Sequence, residues 1–255
     1  MENIEEVNIK ELFDQGYIVP LRAIYEVTFN PVFKIKQNLG VIADHLKKYY
    51  NVTAIKKESS MSNEETVVLI RTKEHMTTYF TFSAFKVVQT ILKGTKFNFE
   101  HMVREVNNVP ERVKSYAKIL QRDKNYNLIR IGVRLQFLGS IDKIEKIKNL
   151  DKSLIFNQSL LDKIACNEDK LYTINFKLAP DQSEIKEGSE ETIINISGQN
   201  VVTLEIDDEV YKFYNSVLID CIRGFFYPDR IESKYLFDTE EFVNNNILPI
   251  FKGDD

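Results

Sequence analysis

The stretch Leu21-Arg-Ala-Ile-Tyr-Glu-Val-Thr-Phe29, which follows Pro20, is the part of this sequence that decides the fold. Apolar and polar side chains alternate along it, as they do in a β-strand with one buried face. The apolar positions are Ala23, Tyr25, Val27 and Phe29, and the polar ones are Arg22, Glu26 and Thr28. The stretch therefore predicts a half-buried strand.

A second stretch, Ile129-Arg-Ile-Gly-Val-Arg-Leu-Gln-Phe137, has the same alternation and aligns with the first without gaps. The alignment pairs Arg22 with Arg130 as an identity. We predict that the two strands lie side by side at the centre of one antiparallel sheet. Glu26 and Arg134 then hold equivalent positions with opposite charges, and we expect them to approach each other across the exposed face. The alternative is two unrelated solvated charges.

Similar elements follow both strands. The first is followed by a helix over about 33 to 49, strands at Val52–Lys57, Thr66–Thr72 and Met76–Phe82, a further strand-like run through Phe85–Leu92, and a helical face from Phe99 to Leu120 that is broken near Pro110. The second is followed by a helix within Ile141–Ile164, strands at Leu171–Leu178, Thr192–Ile196 and Val201–Ile206, and a helix at Glu209–Phe226. The sequence thus predicts an α+β protein of two similar β-α-β-β-β-α halves that form a long antiparallel sheet, with helices mainly on one face.

The chain divides into four parts on this interpretation. Residues 1–17 form a helical appendage around Asn8–Gln15, residues 18–125 the first half, residues 126–228 the second half, and residues 229–255 an apolar C-terminal segment. That last segment is too apolar for a free tail, so we expect it to dock on the domain or on a partner. Its interface candidates are Tyr235, Leu236, Phe237, Phe242, Ile247, Leu248 and Phe251.

Composition and charge exclude several classes of protein. The chain has 255 residues with nine Gly and six Pro, which excludes collagen-like and low-complexity architectures. Its net charge of −4 makes nucleic acid an unlikely main partner, and no apolar run is long enough for a membrane span. The acidic start of the chain lacks the features of a signal peptide, so we expect a cytoplasmic protein.

Catalytic and metal-binding motifs are missing from the sequence. It contains no G-x-G-x-x-G, no P-loop and no G-x-S-x-G, and its three histidines lack metal-ligand spacing. Cys166 and Cys221 stand in apolar surroundings, which is typical of buried hydrophobic side chains rather than reactive thiols. We therefore assign no catalytic residue, no metal ligand and no cofactor.

Asp207-Asp208-Glu209 admits two interpretations. Three neighbouring carboxylates can hold a divalent cation. Acidic residues are also favoured at the start of a helix, by capping and by the helix dipole. Because a helix is expected from Glu209, the second interpretation is the preferred one.

Four polar residues of the two central strands, Arg22, Arg130, Arg134 and Gln136, share the polar side of the expected sheet. If that side is uncovered, the guanidinium groups form a cluster suited to phosphate, carboxylate or an acidic segment of a partner. The alternative is arginines that simply cover a solvated sheet face. The acidic residues of 180–191 lie outside this cluster, in what we expect to be a mobile hairpin tip.

Three motifs together resemble an uncharacterised, sporadically distributed prokaryotic protein family. They are the strand that starts at Pro20, the central Ile129-Arg-Ile-Gly-Val-Arg134, and Leu204-Glu-Ile-Asp-Asp208. In the family the central motif continues as Tyr-Ile-Asn, where this chain has Leu135-Gln-Phe137. The resemblance spans about residues 18 to 230. It implies no assigned activity, and it points to accessory or defence-related gene neighbourhoods.

The sequence favours binding over catalysis. We expect a non-enzymatic protein-binding or regulatory subunit, associated with a bacterial anti-phage defence or toxin-linked system, whose partner is a protein encoded nearby or a second copy of the chain. One alternative is a metal-dependent or ligand-cavity enzyme that uses Asp207, Asp208 and Glu209. Another is a chaperone-like protein that binds extended segments at a sheet edge.

Overall fold

A computed structural model describes residues 9–50, 52–57, 65–71, 76–91, 97, 99–112, 128–140, 173–206 and 209–250. The first part of the chain contains helix α1 (Ile9–Gln15), strand β1 (Val19–Phe29), helices α2 (Phe33–Gln37) and α3 (Leu39–Leu46), strands β2 (Val52–Lys57), β3 (Glu65–Arg71), β4 (Met76–Phe80) and β5 (Ala84–Thr90), and helix α4 (Phe99–Arg112). Helix α4 continues past Pro110, where the sequence indicated a break.

The described residues of the second part of the chain are mostly in strands. It contains β6 (Leu128–Ser140), β7 (Thr173–Leu178), β8 (Glu190–Ile206), β9 (Glu209–Phe226) and helix α5 (Lys234–Asn246), with short 3₁₀ turns at Gln182–Glu184 and Leu248–Ile250. The helix expected within Ile141–Ile164 lies outside the described residues. The nine strands of the described residues form one sheet in the order β2-β3-β4-β5-β1-β6-β9-β8-β7, and each neighbouring pair is antiparallel.

The expected central strand pair is confirmed. Strands β1 and β6 lie side by side and antiparallel, with Tyr25 opposite Val133 and Ala23 opposite Leu135. These residues are fully buried, as the alternation in both stretches predicts. From this pair outward, the strands on each side follow in reverse chain order, β5 to β2 on one side and β9 to β7 on the other. The protein is thus an α+β protein built on one antiparallel sheet.

The predicted helix at Glu209–Phe226 is wrong, since this segment is the 18-residue strand β9. Its apolar residues fit a helical stripe, but Phe213, Val217, Ile219, Cys221 and Phe225 also share one parity, as a strand requires. Strand β9 pairs with β8 along nearly its whole length and with β6 from Ser216 to Phe226, so the backbone of that second part is hydrogen-bonded on both sides. Long-range pairing thus overrides the helical pattern.

The predicted strands at Thr192–Ile196 and Val201–Ile206 belong to a single strand, β8. Polar residues between them, Ser197 to Asn200, conceal the continuity in the sequence, but the pairing of β8 with β9 keeps one register along its whole length. The described residues of the second part of the chain therefore contain four strands, β6 to β9, the number in the β-α-β-β-β-α pattern, but with bounds that differ from the predicted ones.

The described helices pack on the sheet face that carries Tyr25. Phe13 of α1 meets Phe213 of β9 edge to face, and Phe225 of β9 packs against Tyr235 of α5. The Tyr25 hydroxyl donates a hydrogen bond of 2.9 Å to the Glu232 carbonyl just before α5. The described helices and the C-terminal segment together cover the apolar core on this face of the sheet.

The C-terminal segment docks on its own domain. Tyr235, Leu236, Ile247 and Leu248 are buried, and Phe242 packs against the core. Phe237 is exposed, although its ring meets that of Phe99 edge to face. Phe251 lies outside the described residues. Within the described part of the chain, no helix is long and apolar enough to cross a membrane.

Leu236→Ala tests the docking of this segment. Leu236 has no exposed surface, so we expect the free energy of unfolding to fall by about 2–5 kcal/mol in urea denaturation. Phe237→Ala is the matched control on the same helix, because Phe237 is 48% exposed and we expect its loss to cost about 1 kcal/mol or less. Equal effects of the two substitutions contradict docking in cis.

Candidate functional site

The sheet face opposite the helices is polar at its centre. It carries Arg22, Glu26 and Thr28 of β1, all half-buried, and Arg130, Arg134 and Gln136 of β6; we call it the polar face. The register sets Gln136 opposite Arg22 and Arg130 opposite Thr28. All four residues predicted to form a binding cluster therefore lie on one face of neighbouring strands.

Arg134 forms a two-point ion pair with Asp220 of β9. Its Nε donates to Oδ1 at 2.7 Å and its Nη2 to Oδ2 at 2.6 Å, so the planar guanidinium matches both oxygens of the carboxylate. Asp220 is buried while Arg134 is half-exposed. A buried carboxylate requires a cation or several donors, and Arg134 meets that requirement.

The approach of Glu26 to Arg134 stays a prediction: the two residues are diagonal neighbours on the polar face, and the ion pair that Arg134 forms in the described chain is the one with Asp220. Glu26 lies opposite Gly132 on β6 and opposite Lys86 on β5. Arg134 lies opposite Ile24 of β1 and binds Asp220 of β9, the strand on the other side of β6.

Arg130 forms the second ion pair of the polar face. Its Nε and Nη2 both donate to Oε1 of Glu191 on β8, at 2.9 and 2.6 Å. The pair spans strand β9, which lies between β6 and β8, so the two side chains must run flat over the sheet.

Two glycines leave the space for this ion pair. Gly132 on β6 and Gly224 on β9 lie opposite each other. A Cβ on Gly224 would be 2.6 Å from Oε1 of Glu191 and 2.7 Å from Nε of Arg130, and one on Gly132 would be 2.7 Å from Nη1 of Arg130. All three distances are far below van der Waals contact, so only glycine allows the Arg130–Glu191 pair to lie in this position.

The predicted guanidinium cluster is thus largely neutralised. Arg130 and Arg134 already hold carboxylates, which the sequence did not reveal. Asp220 was expected on a helix, and Glu191 at the end of a mobile loop, although it belongs to strand β8. Glycine inside the strand-like stretch at Gly132 was the available signal, because it indicates close approach of another group.

Arg22 differs from the other two arginines. It lies between Gln136 of β6 and Thr90 of β5, and its Nε is buried without a hydrogen-bond partner within the described chain. Gln136 itself is buried. Arg22 therefore brings a positive charge to the polar face that no carboxylate described here balances.

The helix-capping interpretation of Asp207-Asp208-Glu209 is wrong, because Glu209 begins strand β9 and no helix follows it. Asp207 and Asp208 lie outside the described residues. Among the residues that are described, no group of three or more His, Cys, Asp or Glu side chains is arranged to hold a metal ion. His45 lies on α3 and His101 on α4, while His75 lies outside the described residues.

A second polar cluster lies under the helices. Glu105 of α4 is buried and accepts hydrogen bonds from the Tyr50 hydroxyl and, at 3.3 Å, from Thr78 of β4. Arg112 donates to Glu105 at 3.1 Å and to the Tyr50 oxygen at 2.8 Å. Burial, and then repulsion by the Glu105 carboxylate, raises the pKa of Tyr50 above its usual range. The cluster joins α4 to the sheet and to the end of α3.

Strands β8 and β9 extend beyond their neighbours as a two-stranded ribbon. Strand β6 pairs with β9 only from Ser216 to Phe226, and β7 pairs with β8 only from Thr192 to Ser197. One side of the ribbon packs on the core through Phe213 and Leu204. The other side exposes Val201, Val210 and Tyr214, a set that we call the ribbon stripe. Sequence reasoning missed it because Val210 and Tyr214 were assigned to a buried helix stripe.

Comparison with protein-family models and with curated proteins finds no match for this chain.

Gly224→Ala tests the packing of the Arg130–Glu191 pair. The new methyl group overlaps both side chains, so we expect a loss of about 1–3 kcal/mol in the free energy of unfolding, measured in urea. Gly40→Ala on α3 is the control, since nothing lies within 4 Å of its Cβ position. There we expect a gain of roughly 0.5–1 kcal/mol. A neutral Gly224→Ala would show that the ion pair does not occupy this space.

Cys221 is expected to be chemically inert in the folded protein. Burial raises the pKa of its thiol to about 12, so at pH 8 only about one molecule in ten thousand carries the reactive thiolate. In a Cys166→Ser variant, Ellman's reagent should react with Cys221 only after urea unfolds the chain. Rapid reaction under native conditions contradicts the burial of this residue.

Proposed function

We propose that this protein acts by binding another protein, as a non-enzymatic or regulatory subunit, and that the ribbon stripe is its contact surface. The observation that carries the proposal is the grouping of Val201, Val210 and Tyr214 on one side of a ribbon whose other side packs on the core. Val201 and Tyr214 are direct cross-strand neighbours. Exposed apolar groups held close together on a rigid element are typical of protein contact sites.

The composition of the stripe supports a protein partner. Tyr214 offers a large ring with a polar hydroxyl, a combination enriched where proteins bind each other. Thr203 and Lys212 face each other across the two strands between the apolar residues and add hydrogen-bond donors. The resemblance in the sequence supports a partner encoded in a defence-related or other accessory gene neighbourhood, or a second copy of the chain.

We also infer that the sheet arose from two similar halves. In each, the first strand is central and the following strands extend outward in reverse chain order. The aligned stretches at Leu21–Phe29 and Ile129–Phe137 are those two central strands. On this proposal the ribbon is an elaboration of the second half.

A second candidate function is the binding of an extended segment along strand β7. This strand is at the edge of the sheet and exposes Phe176 and Leu178. An added strand would bond to the backbone groups on the outer side of β7, which pair with no other described strand, and its apolar side chains would cover those two residues.

Co-purification from the native host tests the proposal. Tagged wild-type protein is expected to retain a partner in fixed stoichiometry through size-exclusion chromatography, or to elute as a dimer. Val210→Thr with Tyr214→Thr removes the apolar contact while keeping residues suited to strands. We expect the apparent Kd of the recovered complex, remeasured with purified components, to rise at least about tenfold, as for central contact residues.

Tyr17→Thr with Val41→Thr is the matched control, because these residues are 60% and 66% exposed, close to the 61% of Tyr214 and 57% of Val210. This variant should bind like the wild type. If a Phe176→Thr, Leu178→Thr variant loses binding while the Val210→Thr, Tyr214→Thr variant still binds, the result selects the edge-strand candidate instead. Full binding by both variants contradicts both candidates.

A further inference from the structure

We propose that Arg22, together with Arg134 and Gln136, binds a small oxyanion, a carboxylate or phosphate group, on the polar face. This site is separate from the ribbon stripe and does not depend on the function proposed for it.

The charge of Arg22 is the first argument. Five described arginines are half-buried: Arg22, Arg112, Arg130, Arg134 and Arg223. Four of them bind a carboxylate of this chain, namely Glu105, Glu191, Asp220 and Glu190. Arg22 has no such ion pair among the described residues, and its Nε is buried without a partner. A guanidinium that is partly removed from water is stabilised by an anion, so Arg22 is the half-buried described arginine best suited to bind one from solution.

The neighbours of Arg22 supply further donors. Gln136 lies directly opposite on β6, and Thr90 lies opposite on β5. Arg134 is the diagonal neighbour across the same strand pair, at a spacing of about 7–8 Å that arginine side chains can span. Its Nε and Nη2 are fixed by Asp220, which leaves Nη1 for a further acceptor. Donors on three neighbouring strands, β5, β1 and β6, thus hold adjacent register positions on the polar face.

The chemistry of the site favours a small anion. Asp220 already pairs with Arg134, whereas Arg22 forms no ion pair within the described chain, so a small anion bound at this site would offset the charge of Arg22. Carboxylate and phosphate oxygens match the fork geometry of guanidinium groups. Gln136 is itself buried, so its amide lies beside Arg22 in a partly desolvated setting.

Thermal unfolding of the full chain tests the site with acetate and inorganic phosphate, against chloride at equal ionic strength. We expect a saturable rise of the wild-type Tm, about 3–6 °C at ten times Kd, with at least one of the two anions. Arg22→Gln should abolish the rise. Arg230→Gln is the control, since it removes the same charge from an exposed arginine, and it should respond like the wild type. Arg22→Lys keeps the charge but loses the planar fork, so its Kd should rise about tenfold.

A measurement on the wild-type protein keeps the test independent of folding defects. In ¹⁵N-arginine NMR spectra, the Nε–H signal of Arg22 should shift saturably with the active anion. The Nε–H of Arg223 is the internal control, because it is also buried without a partner while its guanidinium is bound to Glu190. A stationary Arg22 signal, or a Tm rise retained in Arg22→Gln, overturns the proposal. The more effective of the two anions identifies the ligand group.

Discussion

The antiparallel pairing of β1 with β6 is the contact on which the rest of this structure depends. It places Tyr25 opposite Val133 in the core and Arg22 opposite Gln136 on the polar face. A shift of one residue in either strand would exchange its two faces and bring arginines into the apolar core, a cost that holds the register in place. Because this pair is central, strands added on either side inherit its alternation and keep one face apolar for the helices.

The same register explains the ion pairs. Once Arg130 and Arg134 are half-buried on β6, their charges need carboxylates nearby, and β9 and β8 supply Asp220 and Glu191. The Arg130–Glu191 pair crosses strand β9. It does so over two glycines that lie opposite each other, Gly132 on β6 and Gly224 on β9. In a chain with only nine glycines, two are thus used to admit one side chain to the sheet surface.

Local sequence patterns were sufficient to predict the two central strands but not to predict strand β9. The alternation in β1 and β6 has one interpretation, and the structure confirms it. The apolar residues of Glu209–Phe226 fit two periods, and the choice between them depends on pairing with β6, which begins 81 residues earlier at Leu128 (209 − 128). The carboxylates could not be predicted for the same reason, since Asp220 and Glu191 are 86 and 61 residues from their arginines in sequence.

Strand β9 connects the two proposed binding surfaces. Asp220, which fixes Arg134, and Tyr214 of the ribbon stripe share one parity on this strand, and the β8–β9 register is unchanged between them. Both surfaces therefore lie on the same side of the sheet. Asn215 stands at the junction with a φ of 46°, in the left-handed region that asparagine tolerates better than most residues, and there the ribbon leaves the sheet. A protein seated on the ribbon stripe would lie on the side from which a small anion reaches Arg22.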